Sequence, residues 1–452
     1  MPEKPDKKLE NMEDVLIAIG GFGRFQVLVL FLLLFMEIPA ALMLYVPIFI
    51  GSNSSEWTCN GTNVSASSIC SCTTEALARN PESSIVAEWN LICGSSWIPH
   101  TITSLQMIGM VLGNIYTSQL SDWYGRRYCF MGIILQMAFG SVLSAIAPNP
   151  YVYAAARFVC GAGYSGFICI LAIYSMEFLT PRWRPVSGCA SPSGIGTMLL
   201  GLLAYYFRVW RTLVWVTAAP FGAIILIIPF LPESPRWLLH KKRIDECSKV
   251  LNHIAKINGK PAIDIEILRI ISKTNNSVES AEGVEQSSER FSYLEFWRDK
   301  TLRRTTLYLQ GIWFVWAFVH FGLGYNIQNV AGSPYLNVVF LGLAEALGPP
   351  SSFFFNDKFG RRKTLVGFMT LSAVFLVSIG ILQVCYHGRN AAQIVAILCL
   401  CGKYGATGAK MPTRLLTGES YPTAIRTMGI GVASITASLG GALAPQMAYL
   451  GS

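Results

Sequence analysis

The stretch Asp122–Arg127 (DWYGRR) returns in the second half of the chain as Asp357–Arg362 (DKFGRR). Both copies have the spacing D-x-x-G-R-R. Glycine permits a sharp turn between two helices, and arginine forms forked hydrogen bonds to carboxylates and to the carbonyl groups that end a helix. The repeat therefore indicates a chain built from two similar halves, each with one such turn.

Apolar segments long enough to cross a membrane surround both copies. A bilayer core requires about 20 apolar residues per helix. The segments of that length are 26–50, 97–119, 128–147, 151–175, 186–207, 212–231, 306–325, 333–355, 364–386, 391–413 and 426–449, which makes eleven. The 452 residues are 52% hydrophobic and only 13% charged, whereas soluble domains carry about 25% charged residues. We therefore predict an all-α polytopic membrane protein, and exclude a soluble enzyme.

The distribution of basic residues predicts the orientation of the chain in the membrane. Most of the 35 Lys and Arg residues lie on the side that carries the N-terminus and segment 232–305. The opposite side holds only Arg79, Arg208, Arg211 and Arg389. Because cytoplasmic loops are enriched in Lys and Arg, we expect a cytoplasmic N-terminus. The net charge of +9 then reflects cytoplasmic edges, and no nucleic-acid partner is expected, because no basic face with interleaved aromatics is present.

The long loop 51–96 falls on the opposite side, which we expect to be extracellular. It contains three acceptor sequences for N-glycosylation, at Asn53, Asn60 and Asn63. Its four cysteines are Cys59, Cys70, Cys72 and Cys93. Glycans and disulfides both form in the secretory pathway, so we expect a glycosylated loop held by disulfides. Four cysteines permit three pairings, and the sequence does not choose between them.

The repeats and the apolar segments divide the chain into four parts. We expect a cytoplasmic N-terminus at 1–25, a transmembrane half at 26–231, a cytoplasmic linker at 232–305, and a second, incomplete transmembrane half at 306–452. An acidic and a basic residue with equal spacing also follow the fourth span of each half. These pairs and the D-x-x-G-R-R turns lie on the same predicted side of the membrane.

The repeated charges are the predicted gating residues. They are Asp122, Gly125, Arg126, Arg127, Glu177 and Arg184 in the first half, and Asp357, Gly360, Arg361, Arg362, Glu419 and Arg426 in the second. Such charges can hold the cytoplasmic ends of helices together and release them when the halves rock. The alternative is that the arginines only anchor helices at the cytoplasmic surface. Their recurrence at equivalent places favours the gating hypothesis.

Four short motifs outside the repeats are similar to those of a known family. They are Gly23–Gln26 (GRFQ), Glu88–Cys93 (EWNLIC), Pro232–Leu238 (PESPRWL) and Gly402–Gly405 (GKYG). With the D-x-x-G-R-R turns, the chain resembles the major facilitator superfamily, and more closely its organic cation/carnitine transporter branch, the organic ion transporters. The resemblance implies two six-helix halves around a midplane cavity and transport by alternating access.

Two departures from that family bear directly on the function. Ser438 stands where cation-transporting members usually carry Asp and where anion- or carnitine-transporting members usually carry Arg, so this position does not indicate the charge of the substrate. The sequence also ends at Ser452, before a twelfth span. We therefore expect either an incomplete gene product or a chain that lacks the last span and ends outside.

Five ionisable residues lie within the predicted spans, where each costs roughly 2.5–3.5 kcal/mol to insert. They are Glu37, Arg157, Glu345, Lys403 and Lys410. The resemblance places Glu345 and Lys403 at charged positions of the family, and the two either bind substrate or form a structural ion pair. Glu37 is a counter-ion for a cationic substrate or neutralises a lysine. Arg157 matches a helix-packing position, and Lys410 departs from the family and can snorkel to the inner interface.

Aromatic side chains and one histidine complete the predicted substrate site. They are Trp316, His320 and Tyr325 in the seventh span and Tyr164 in the fourth. Aromatic faces bind quaternary ammonium groups at roughly 0.5–2 kcal/mol per contact, although a single aromatic residue in a membrane helix is usually a packing or lipid-facing residue. His320 is either a proton sensor near physiological pH or a neutral, hydrogen-bonded histidine. The predicted substrate-binding residues are these four with Glu37, Glu345 and Lys403.

Other functional classes lack their motifs. Gly161–Gly166 fits G-x-G-x-x-G, but it lies inside a predicted span with no strand before it, which favours close helix packing. No nucleotide-binding P-loop and no H-E-x-x-H metal motif occurs in the sequence. We therefore expect no enzyme activity, no cofactor and no metal.

These observations predict a secondary transporter or facilitator of the plasma membrane for small organic ions, with organic cations or carnitine-like zwitterions as the first choice. The expected partners are the substrate, the lipid bilayer, and Na⁺ or H⁺ as a coupling ion. An organic anion transporter is an alternative that Lys403, Lys410 and Ser438 leave open. A truncated, transport-inactive membrane protein is another, because of the absent twelfth span.

Overall fold

The computed structural model describes residues 11–51, 57–59, 62–64, 69–71, 77–184, 188, 192–282, 299–330, 332–385, 391–421 and 426–450. Within these ranges the chain is almost entirely helical, apart from one small sheet and the connections. Each of the eleven predicted apolar segments contains a helix. The all-α fold predicted from the sequence is therefore confirmed.

Among its described residues, the first half contains ten α-helices. They are α1 (Met12–Ala18), α2 (Arg24–Phe35), α3 (Glu37–Tyr45), α4 (Pro47–Ile50), α5 (Ile85–Glu88), α6 (Ile98–Tyr124), α7 (Arg126–Ile146), α8 (Pro150–Phe178), α9 (Ser193–Tyr206) and α10 (Trp210–Ile227). The first predicted span is divided into α2, α3 and α4, with turns at Met36 and Val46. Pro39 and Pro47 explain the division, because proline lacks the N–H that would bond to the preceding turn.

The described part of the linker contains three helices, and the described part of the second half contains five long helices. They are α11 (Pro235–His240), α12 (Ile244–Asn258), α13 (Ile265–Glu282), α14 (Lys300–Tyr325), α15 (Pro334–Phe359), α16 (Arg361–Cys385), α17 (Ala391–Ser420) and α18 (Arg426–Leu450). Short 3₁₀ turns lie at Ile69–Ser71, Pro81–Ser83, Cys93–Ser95, Ile228–Phe230 and Asn326–Asn329. The linker helices and the sheet lie on opposite sides of the bundle, here named the linker face and the loop face.

Eight helical segments within the described residues are long and apolar enough to cross a membrane. They are Arg24–Ile50, Arg126–Ile146, Pro150–Phe178, Trp210–Phe230, Lys300–Tyr325, Pro334–Phe359, Arg361–Cys385 and Ala392–Ser420. Helices α6, α9 and α18 occupy the other three predicted spans and are not among the eight; α9 has only 14 residues. The number of eleven crossings therefore stays a prediction.

The loop face carries a three-stranded antiparallel sheet in the order β2-β1-β3. Its strands are β1 (Trp57–Cys59), β2 (Thr62–Val64) and β3 (Leu77–Ala78). Cys70 forms a disulfide with Cys93, and Cys59 is also disulfide-bonded. Asn63 lies in β2, opposite Thr58. The predicted residues Asn53, Asn60 and Cys72 lie outside the described residues, and glycosylation stays a prediction.

Both D-x-x-G-R-R motifs form the turns that the sequence predicts. Gly125 ends α6 with a φ of 99°, and Gly360 ends α15 with a φ of 81°. Residues with a Cβ rarely adopt this backbone region. In each half, the glycine turns the chain directly into the following helix, which begins at the first arginine of the motif.

The two halves meet along α6 against α18 and α9 against α15. The Ser104 hydroxyl donates to the carbonyl oxygen of Ala442 at 2.7 Å. A Cβ added to Gly342 would lie 2.6 Å from the carbonyl oxygen of Gly194, so these two helices touch backbone to backbone. Because Ser104 lies near the loop-face end of α6, the halves are tightly closed on that side.

The linker packs on the first half through Asn258 at the end of α12. The Asn258 side chain accepts from the N–H of Phe25 at 2.9 Å and donates to the carbonyl oxygen of Ile19 at 2.8 Å. It also donates to Gln26 Oε1 at 2.9 Å. These bonds hold the start of α2 and give the Gly23–Gln26 motif a structural role.

Candidate substrate-binding site

Glu345 in α15 lies where the two halves meet, and only 4% of the residue is exposed. Its Oε1 accepts from the Tyr45 hydroxyl at 2.7 Å and lies 2.9 Å from Lys403 Nζ. Its Oε2 accepts from the Thr197 hydroxyl at 2.8 Å. Buried carboxylates require such partners. Tyr45 and Thr197 belong to the first half, whereas Glu345 belongs to the second. The carboxylate of Glu345 therefore joins the two halves.

Lys403 in α17 is fully buried next to Glu345. Its ammonium group donates to the carbonyl oxygen of His320 at 2.9 Å and lies 5.6 Å from the centre of the Tyr45 ring. The structure thus brings together the two charges that the sequence proposed as a pair. Contact of either one with substrate stays a prediction.

His320 in α14 joins the same cluster. Its Nε2 lies 3.4 Å from the Tyr45 hydroxyl, 3.5 Å from Lys403 Nζ and 3.8 Å from Glu345 Oε1. Its ring stacks on Trp316 with 5.2 Å between the ring centres. His320 Nδ1 is buried and has no hydrogen-bond partner within the described part of the chain. The histidine therefore keeps one polar atom available.

The predicted aromatic residues surround this cluster, and they differ in how firmly hydrogen bonds and burial fix their side chains. Trp316 donates from its indole N–H to the carbonyl oxygen of Ala406 at 2.7 Å, and Tyr325 donates to the carbonyl oxygen of Leu44 at 3.2 Å. Both are buried. Tyr164 is partly buried and packs against the apolar cores of the bundle. Since Trp316 and Tyr325 already use their polar atoms, their ring faces are what a ligand could meet.

Glu37 and Lys410 lie apart from the central cluster and interact with each other across the halves. Glu37 begins α3, is partly exposed, accepts from the backbone N–H of Ser193 and interacts electrostatically with Lys410. Arg157, by contrast, is fully buried, donates to the carbonyl oxygen of Met43 at 3.1 Å and lies over the Tyr153 ring. These contacts favour the helix-packing role that the family resemblance implies, which stays a prediction.

The first D-x-x-G-R-R turn is held by a network around Arg126. Its guanidinium lies 2.9 Å from Glu177 Oε1 and 2.9 Å from Asp122 Oδ1. It also donates to the carbonyl oxygen of Ser121 at 2.8 Å. The side chains of Arg126 and Glu177 are only 14% and 12% exposed. Three elements of the first half, α6, α7 and α8, are thereby fixed together.

Glu233 of the PESPRWL motif completes this network and was missed as a functional residue. Its carboxylate accepts from the backbone N–H of Arg126 at 2.9 Å and of Arg127 at 3.2 Å, at the N-terminus of α7. Burial raises the pKa of the Glu233 carboxyl, while the N–H groups of Ser234, Arg127 and Arg126 lower it in part. The motif itself was the signal, because a carboxylate caps the positive end of a helix dipole.

The second turn is looser than the first. Arg361 lies 3.0 Å from Glu419, but their side chains are 53% and 49% exposed. Asp357 and Arg362 are exposed. All three ion pairs described at the turns join helices within one half.

Arg184 and Arg426 are the two basic gating candidates that lie outside the D-x-x-G-R-R turns. Arg184 pairs with Glu13 of α1 at 2.6 Å, and Arg236 of the linker shares that carboxylate at 2.8 Å. Arg426 begins α18, and its side chain lies outside the described residues. A gating role for these residues stays a prediction.

A pocket of about 500 Å³ lies at the loop face, away from the central cluster. It lies between the ends of α4 and α9, the start of α15, and residues 80–83. Phe49 and Tyr335 stack there, with 5.6 Å between their ring centres. None of the predicted substrate-binding residues lines this pocket.

Tyr45 and Thr197 are the site residues that the sequence did not reveal. Each is a neutral residue on an apolar helix, so neither the cost of burying a charge nor a motif marks it. Only the folded chain shows that both donate to the same carboxylate.

Comparison with known proteins identifies relatives over nearly the whole chain. The profile of the sugar (and other) transporter family matches residues 33–449. An organic cation transporter protein of Drosophila melanogaster is 30% identical over 371 residues, which is 81% of this chain and 66% of that protein. A solute carrier family 22 member 15-like protein of Xenopus laevis is 31% identical over 373 residues, covering 81% of this chain and 73% of the relative. The chain thus spans about two thirds of the length of the fly relative.

Solved structures show the same fold. The xylose transporter XylE of E. coli in an inward-open conformation superposes with a TM-score of 0.61, covering 92% of this chain and 89% of that one, at 14% identity. A partially occluded inward-open conformation gives 0.59 at 13% identity, with 92% of each chain covered. At this identity the likeness concerns the fold alone. The family match and the Xenopus relative go further: the chain belongs to the sugar (and other) transporter family of the major facilitator superfamily, whose members are membrane transporters rather than enzymes, and within it to the organic ion transporters of solute carrier family 22.

Proposed function

We propose that this chain transports small organic ions by alternating access, as a secondary transporter or facilitator. The observation that supports this best is the position of Glu345, which binds Tyr45 and Thr197 of the first half and Lys403 of the second. A bound ion would compete for this carboxylate and its partners. Substrate binding would thereby change the contact between the halves, which is the coupling that alternating access requires.

The substrate in this proposal is an organic cation or a zwitterion. The named relatives include organic cation transporters. The rings of Trp316, Tyr325 and Tyr164 supply aromatic faces, which attract quaternary ammonium groups. His320 Nδ1 supplies a buried polar atom that has no partner among the described residues.

The remaining predictions belong to the same proposal. The chain lies in the plasma membrane with a cytoplasmic N-terminus, so the linker face is cytoplasmic and the loop face, with Asn63, is extracellular. The halves 26–231 and 306–452 move relative to each other around the linker 232–305. The Arg126 and Arg361 networks latch the cytoplasmic helix ends, and Na⁺ or H⁺ is the coupling ion.

Uptake into liposomes that contain the purified full chain tests this function. Radiolabelled tetraethylammonium, L-carnitine and glutarate distinguish a cation, a zwitterion and an anion. We expect saturable uptake of L-carnitine or tetraethylammonium above empty liposomes, and its loss in Glu345→Gln. Exclusive uptake of glutarate would favour the anion transporter, and uptake of none would favour a transport-inactive membrane protein.

A further inference from the structure

The half of α17 nearer the linker face presents a row of basic residues on one side. Lys403, Lys410 and Arg414 are separated by seven and then four positions, so they share one face of a helix with 3.6 residues per turn. At a rise of 1.5 Å per residue, the row is about 16 Å long. Lys403 is buried at its inner end, whereas Lys410 and Arg414 are exposed.

This row faces the first half of the protein instead of the lipid. Lys410 interacts electrostatically with Glu37 of α3, and the Arg414 guanidinium lies within electrostatic range of the Cys169 thiol of α8. Between them, the Met411 side chain lies 3.9 Å from the place that a Cβ would take at Gly188. Exposed side chains that face another part of the same chain must line a gap between the two. Lys410 and Arg414 therefore line a water-accessible gap between the halves that opens towards the linker face.

The charges along this gap do not balance. Glu345 is neutralised by Lys403 at 2.9 Å. Glu37 faces Lys410 and also accepts from the Ser193 N–H. Across the described ranges, neither Lys410 nor Arg414 has a carboxylate within ion-pairing distance. Since intramembrane charges are costly unless paired or functional, a surplus of exposed positive charge indicates a ligand of opposite charge.

We propose that Lys410 and Arg414 form a binding subsite for an anionic group of the transported molecule, such as a carboxylate, sulfate or sulfonate. Residues four positions apart on a helix are neighbours, so one such group can contact both. Arginine offers a forked pair of donors that matches a carboxylate, and lysine adds a point charge. This inference rests on the proposed transport function. Of the cation and the zwitterion proposed above, it favours the zwitterion, because a simple cation has no anionic group for this subsite.

Ligand-induced stabilisation of the purified full chain in detergent tests the subsite. L-carnitine, glutarate and benzoate are each compared with their methyl esters, which keep the remaining structure and lose the anionic group. We expect at least one acid to raise the unfolding temperature while its ester does not. In Lys410→Gln/Arg414→Gln, the apparent Kd for that acid should rise about tenfold or more, because charge-assisted hydrogen bonds are lost. Lys363→Gln, an exposed basic residue of α16, should leave the Kd unchanged.

The outcomes separate this subsite from the transport function. The subsite is overturned if acid and ester stabilise equally, if none of the acids stabilises the chain, or if the double variant responds as the wild type does. If the double variant without ligand unfolds at a much lower temperature than the wild type, the single variants Arg414→Gln and Arg414→Lys are compared instead. Only Arg414→Lys, which keeps the positive charge, should then retain binding of the acid. Because binding is measured without flux, selective binding of an acid without uptake into liposomes contradicts the transport function and leaves the subsite intact.

Discussion

Glu345 and Lys403 bury two opposite charges at the contact between the halves, with 4% and 0% of each residue exposed. The attraction within such a pair is largely offset by the cost of removing both charges from water. Removing only one partner is different, because it leaves the other charge buried and unpaired. The tolerance of each site to substitution should therefore depend on what happens to its partner.

Glu345→Gln should lower the free energy of unfolding by roughly 3–5 kcal/mol, because Lys403 loses its carboxylate. Glu345→Gln/Lys403→Met should lose less than the sum of the two single variants, since no unpaired charge remains. Chemical denaturation of the purified protein in detergent measures both values. Ser438→Ala is the control, because Ser438 makes one hydrogen bond, to the Ser434 carbonyl, and its loss should cost about 1 kcal/mol. Additive losses would show that the pair is not coupled.

At the residue level, the sequence identified the candidate site residues that carry a charge within a membrane span. The cost of a charge in a membrane span singled out Glu345 and Lys403, and the structure pairs them. Tyr45 and Thr197 carry no such mark, although they complete the same cluster. The partner of Arg184 was equally inaccessible, because Glu13 comes from a distant part of the chain.

The two D-x-x-G-R-R turns have the same sequence pattern but different surroundings. At the first turn, Arg126 and Glu177 are mostly buried, and Glu233 caps the start of α7. At the second turn, Arg361 and Glu419 are about half exposed. Exposed ion pairs contribute about 0.2–1 kcal/mol, whereas hydrogen bonds to charged groups in less exposed sites contribute about 1.5–3 kcal/mol. The two turns are therefore not held with equal strength.

Arg126→Ala should destabilise the protein by about 1–2 kcal/mol more than Arg361→Ala, because its ion pair with Glu177 is more buried than the pair of Arg361 with Glu419. Arg126→Lys should recover only part of the loss, since lysine keeps the charge but lacks the forked donors. The same denaturation in detergent gives these differences. Equal losses in the two alanine variants would show that burial at the first turn has no energetic effect.

At the level of helices, the sequence predicted where each helix lies along the chain better than it predicted whether a helix is continuous. The segment 151–175 corresponds to α8, which runs over Pro150–Phe178. Asn149 caps this helix by accepting from the Val152 N–H, and proline at the first position favours the start. The segment 26–50 was predicted as one span and corresponds to the apolar segment Arg24–Ile50, but its helix is interrupted at Met36 and Val46. Hydropathy does not detect such breaks in a helix, because proline removes a backbone hydrogen bond without making the segment less apolar.

The whole molecule is closed on the loop face and held at its centre by one polar cluster. The closure is made by α6 with α18 and by α9 with α15. The proposed subsite of Lys410 and Arg414 lies towards the linker face. A transporter that works by alternating access must open the first contact to expose its centre to the other side. The repeated motifs in the sequence predicted two similar halves. Only the structure identifies the face on which the two halves are in contact.

Cross-linking of the closed face during transport tests the central claim most directly. Ser104→Cys with Ala442→Cys places two thiols where the Ser104 hydroxyl now bonds the Ala442 carbonyl. Uptake into liposomes is then measured before oxidation, after oxidation and after reduction, with both single-cysteine variants and the wild type as controls. The account predicts that oxidation abolishes uptake in the double variant alone and that reduction restores it. Full uptake through the cross-linked protein would contradict alternating access around the Glu345 cluster.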